Sequence, residues 1–242
     1  MSKLGIGLRV LAIIAVAGTA IFTILGGIGT ACLAWNGQLY GKPFAWIVPA
    51  MPTYQNYVYA SVFFGVVGVV VAYALLHGDR WAYWGAVVTT IGCAAVAAAH
   101  MATTSSLKGV AFLATPPTNM RLYVSVVTLI ILLLLRIPGI WQFADFTRPW
   151  RGNTSGSASA GLAAIMVGVI TVTTPIWAGE SHMLDGFNLV YVLYLPLTVG
   201  GWSLILGGSG LLALAAAGRG LRELAADMRK RLVPVSGWSH AE

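Results

Sequence analysis

Four side chains in this sequence are of the types that hold a borderline metal ion. They are His100, in "GCAAVAAAHMATTSS", and Glu180, His182 and Asp185, in "GESHMLDG", with the thioethers of Met101 and Met183 beside them. Imidazole, carboxylate and thioether together suit copper or zinc. No fixed ligand spacing joins the two segments, so the set works only if the fold brings both to one place. The plainer expectation for His100 is an edge residue, bonded to a loop carbonyl or a lipid headgroup. It stands nineteen residues after Trp81, about 28 Å along a helix, where an apolar run gives way to serines and threonines. A haem held between His100 and His77 is excluded by the same count, because His77 ends the preceding segment at the opposite face.

The elements that must carry these residues follow from composition. Of 242 residues, 58% are hydrophobic and 9% charged, and the mean hydropathy is +0.82, whereas a soluble domain carries about 25% charged residues. The chain is expected to be an all-α integral membrane protein. A span needs about 20 apolar residues, and six segments qualify, at about 10–34, 57–76, 82–103, 121–141, 159–178 and 187–217. They form a six-helix membrane domain over 1–217, followed by a cytoplasmic amphipathic helix and tail over 218–242.

Charge sets the expected orientation. With the N-terminus inside, eleven basic residues, Lys3, Arg9, Arg80, Arg136, Arg148, Arg151, Arg219, Arg222, Arg229, Lys230 and Arg231, fall in the cytoplasm. Three, Lys42, Lys108 and Arg121, fall outside, which by the positive-inside rule favours N-in and C-in. The net charge of +7 therefore reads as topology and anionic headgroups, with no nucleic acid implied. Arg136, Arg219, Arg222, Arg229, Lys230 and Arg231 are the expected headgroup contacts. In "GRGLRELAADMRKRL", apolar residues recur on one helical face.

Both outer loops are rich in aromatic or apolar residues. "WNGQLYGKPFAWIVPAMPTYQN" (35–56) is too long and apolar for a bare connector and is expected to fold back onto the bundle or lie in the interface. The loop "SSLKGVAFLATPPTN" (105–119) has the same character. The fourth span meets Arg136 and Pro138 before its apolar run ends, and the sixth, about 46 Å long as one helix, is expected to kink at Pro196, Gly200 and Gly201.

Inside the spans the chemistry is sparse. All seven acidic residues, Asp79, Asp145, Glu180, Asp185, Glu223, Asp227 and Glu242, lie in expected loops or tails, which weighs against a proton-coupled transporter. Cys32 and Cys93 are expected to pack. What recurs is small residues: Gly85, Thr89, Cys93 and Ala97 in the third span, Ala160, Ala164 and Gly168 in the fifth, and Gly65 and Gly68 in the second. Such faces let helices approach closely, inside the bundle or against another membrane subunit or a flat ligand such as a quinone or pigment.

The layout of residues 57–101, a glycine-containing span, the tight "HGDRW" turn and a small-residue span ending in histidine, resembles in outline the small DoxX-type bundles. Some of these are associated with thiosulfate:quinone oxidoreduction. The likeness covers less than a fifth of the chain and lacks an acidic residue those proteins often have, so no residue role is carried across.

The leading expectation is a non-catalytic membrane subunit of a larger energy-transducing complex in a bacterial inner membrane, touching lipids and partner subunits. The alternative is an oxidoreductase or binding protein that uses the outer loops and His100 with the "ESHMLD" segment around a metal, such as copper, or a quinone. A facilitator for a neutral substrate is the third.

Overall fold

The computed structural model describes residues 3–115, 118–144, 146, 155–178, 183–184 and 187–216. Six of its helices are long and apolar enough to cross a membrane, as the hydropathy pattern implies. The expected amphipathic helix over 218–232, with Arg219, Arg222, Arg229, Lys230 and Arg231, lies outside the described residues.

Helices α1 (Lys3–Asn36), α2 (Met51–His77), α3 (Ala82–Lys108) and α4 (Thr118–Leu135) form an up-down-up-down bundle. Consecutive helices pack antiparallel, and α4 closes the ring against α1. The close approaches are made where Cβ atoms are missing or small. A Cβ on Gly68 would sit 2.8 Å from that of Ala20, and one on Gly27 2.9 Å from the Cβ of Ser61. In α3 the expected small face is turned into the bundle, with Thr89, Cys93 and Ala97 buried.

At the end carrying the α2–α3 turn, Gly78 adopts φ +82°, a left-handed conformation that closes α2. Its amide donates to the carbonyl of Ala74 at 3.0 Å. The next two carbonyls, of Leu75 and Leu76, would be orphans of the helix end. Arg9, with 0% of its surface exposed, fills that need: Nη2 donates to both at 2.7 and 3.0 Å, and Nε to Leu75 at 3.2 Å. A guanidinium also complements the negative end of a helix dipole. Tyr83 donates to the Leu132 carbonyl at 2.8 Å and ties α3 to α4.

At the other end, the expected long loop is largely helical. Two 3-10 turns, Gly37–Tyr40 and Lys42–Ala50, lead directly into α2, six residues earlier than its apolar run. Ile47 is fully buried among Ala34, Tyr54 and Val58, so this segment folds back onto the bundle. In the α3–α4 connection, Val110, Phe112 and Leu113 are exposed.

Two spans differ from expectation. The fourth stops at Leu135, and Pro138 starts a separate short helix, α5 (Pro138–Ala144). Proline disfavours helical geometry in the residue before it and offers no amide. The sixth is no single kinked helix. A hairpin of β1 (Met183–Leu184) and β2 (Phe187–Asn188) precedes a single turn, α7 (Leu189–Val192), and then α8 (Tyr194–Ala216). Pro196 therefore lies in the first turn of α8, where no amide is required.

Helix α8 pairs antiparallel with α6 (Ser155–Ala178), and this pair meets the four-helix bundle chiefly through α1. The expected Ala160, Ala164 and Gly168 row is not the contact, for Ala160 is exposed. The contact uses Gly161 and Gly168, seven apart, against Gly208 and Gly201, also seven apart. A Cβ on either α6 glycine would fall 2.6 Å from the carbonyl oxygen of its partner.

Candidate functional site

One layer of the bundle interior gathers the side chains with chemistry. His100 is 4% exposed and Arg121 4% exposed. His100 is thus no edge residue. It lies eight residues before the end of α3, about 12 Å beneath it, because the helix runs five residues past the expected span. Arg121, expected outside the membrane, is in the first turn of a short α4 whose start sits at this depth. Sequence reasoning missed it as a site residue, since an arginine at the edge of an apolar run ordinarily snorkels to water. Gly26 of α1 makes its room: a Cβ there would overlap the Cδ of Arg121 and lie 2.8 Å from its Nη1.

The contacts of Arg121 are all neutral. Nη1 donates to the Ser61 hydroxyl at 3.2 Å, and Nη2 to Nδ1 of His100 at 3.1 Å. Nε is buried and makes no hydrogen bond. Because a guanidinium can only donate, Nδ1 of His100 must accept, which places the imidazole proton on Nε2 and leaves the ring neutral. Two tyrosines of α2 hold that ring. Tyr57 stacks on it at 5.2 Å and 15°, and Tyr54 meets it edge-on at 5.0 Å and 90°. The Tyr54 hydroxyl bonds that of Thr104 at 2.6 Å and the Tyr57 hydroxyl that of Thr103 at 2.7 Å, both on α3. Trp46 of the folded-back segment caps Tyr54 at 6.1 Å, with the Lys108 ammonium 4.6 Å above the indole.

Below this layer the polar groups satisfy one another. Thr19 donates to the Thr128 hydroxyl at 2.8 Å, and Thr128 to the Ala15 carbonyl at 3.2 Å. Thr23 and Ser125 each return a hydrogen bond to the carbonyl four residues back, at 2.7 and 2.8 Å.

The expected metal set is not assembled among the described residues. Glu180, His182 and Asp185 lie outside them, and within them no group of three or more histidine, cysteine or acidic side chains comes together. His100 is also a poor ligand here, since Nδ1 is committed to Arg121 and a cation beside the ring repels a metal ion. His77 is exposed at the far end of α2, bonded to the Tyr73 carbonyl at 3.1 Å, so the two histidines cannot share a haem. Arg136 is exposed at the α4–α5 break, with its guanidinium 4.4 Å over Trp141 and 5.9 Å from Trp84.

No family model, no curated protein and no solved structure matches this chain, and the outline resemblance to DoxX-type bundles gains no support from them. The chain is a six-helix membrane bundle in whose described interior Arg121 stands beside His100, which two tyrosines enclose.

Proposed function

We propose that this protein is a non-catalytic membrane subunit, built to pack against partner subunits of an energy-transducing complex in a bacterial inner membrane. The observation that carries the proposal is the surface of α8. Its only buried residues among those described are Gly201 and Gly208, both turned to α6, while Leu195, Leu206, Val199 and Trp202 are each more than half exposed. A membrane helix held by one glycine row offers its whole remaining circumference to lipid or to another helix. The sparse ionisable groups support the same reading, because Arg9 is spent on fastening α1 to the end of α2.

Purification in mild detergent followed by mass spectrometry tests this. Stoichiometric partner chains, lost when Leu195 and Leu206 are replaced by tryptophan, are the expected result. A lone, monodisperse monomer from gently solubilised membranes would overturn it.

The alternative is a binding protein acting through the outer His100 layer. Its metal form is weakened by the engagement of Nδ1. Its favouring observation is Arg121, a buried cation with unused donors.

A further inference from the structure

A guanidinium carries five N–H donors. In Arg121 two are used, both on neutral acceptors, and the buried Nε–H has no partner. Taking an arginine into a low-dielectric interior costs several kcal/mol unless a negative charge accompanies it. Among the described residues the only acidic side chain is Asp79, in the α2–α3 turn at the opposite end of the bundle. Arg9, the other buried arginine, has the last carbonyls of α2 to serve as its counter-dipole; Arg121 has none among the described residues. The room is nevertheless built for it, since Gly26 leaves α1 open where the side chain passes.

We propose that Arg121, flanked by Ser61 and His100, is an anion site inside the bundle that takes a phosphate oxyanion on its free guanidinium edge. Arginine's planar fork matches two phosphate oxygens at once. Depth supports this chemistry. Helix α3 is about 40 Å long against a hydrocarbon core of about 30 Å, so some 5 Å projects at each end. The Arg121 layer, about 12 Å below the end of α3, then lies about 7 Å inside the hydrocarbon boundary, within reach of a phosphate drawn in from the headgroup region. Arg121 faces the bundle interior, between Gly26 of α1, Ser61 of α2 and His100 of α3. The site goes beyond the subunit assignment and stands or falls separately from it.

The test uses the full chain in a neutral maltoside detergent. Bound phosphorus and native mass are measured, and thermal unfolding is followed with added inorganic phosphate, chloride at equal ionic strength, phosphatidylglycerol or phosphatidylcholine. Stabilisation by phosphate over chloride identifies a free anion; stabilisation by phosphatidylglycerol alone, with one lipid retained in the native mass, identifies a headgroup. In either case Arg121→Gln should weaken the effect by about thirtyfold or more. Ser61→Ala and His100→Gln, which keep the arginine, serve if that variant does not fold, and should each weaken it less. The proposal is overturned if the unmodified chain holds no phosphorus and responds to neither additive. It is equally overturned if Arg121→Gln binds as well as the parent, or if a carbodiimide couples the amine of an Arg121→Lys variant, with loss of water, to a carboxylate of a co-purifying chain or of Glu180 or Asp185. Partner subunits present without bound phosphate would sink this site alone and leave the subunit proposal intact.

Discussion

Arg121 shows how one residue can be legible by type and illegible by place. Its charge marks a membrane boundary in the sequence, yet it is buried, because α4 begins late and deep while α3 runs long beside it. The tolerance of α1 decides whether it fits. Gly26→Ala should lower the stability of the detergent-solubilised protein by about 1–3 kcal/mol, since an added methyl overpacks the arginine. Gly29→Ala, three residues on in the same helix, meets nothing within 4 Å and should leave thermal unfolding unchanged or raise it slightly. Equal losses at both glycines would mean that helix flexibility, and not room for Arg121, explains Gly26.

Among the elements, the two helix pairings rest on different chemistry. The α1–α2 contact is fastened at its end by Arg9, which serves the last carbonyls of α2. Arg9→Met keeps the length and removes the donors, and should cost about 2–3 kcal/mol by leaving those carbonyls unpaired; a denaturation midpoint equal to the parent's would refute the capping role. The α6–α8 contact depends on backbone approach at Gly161, Gly168, Gly201 and Gly208. Gly168→Leu should separate the two helices, read as loss of a disulfide engineered between nearby positions on α6 and α8. Retention of that cross-link at parental yield would show that the glycine row is dispensable. Hydropathy identified all six crossing helices, since length and apolar content are local properties. It missed the α4–α5 break and the β1–β2 hairpin, where proline geometry and chain reversal matter more than apolar content. It also chose the wrong row on α6, because periodicity shows a small face without showing which neighbour it meets.

For the whole molecule, the four-helix bundle and the α6–α8 pair are joined mainly where α1 meets α6, with Met166 lying against Gly18. The bundle closes its own ring and should not need the pair. A chain ending at residue 154 should keep the parent's thermal midpoint for the Tyr54, Tyr57 and His100 cage, followed by tyrosine and tryptophan fluorescence; a fragment that aggregates or melts far earlier would show that α6 and α8 complete the fold.

The sequence by itself determined that this is a six-helix membrane protein, that its span interiors carry no acid, and that small residues let its helices lie close. These are averages and spacings along the chain, and the bilayer reads them locally through hydropathy and length. Only the tertiary structure decided that His100 is an interior residue, that its proton sits on Nε2, and that Arg121 stands beside it with no counter-charge among the described residues. Those facts depend on the relative axial offset of four helices, which is fixed by side chains far apart in the sequence meeting across glycine-sized gaps.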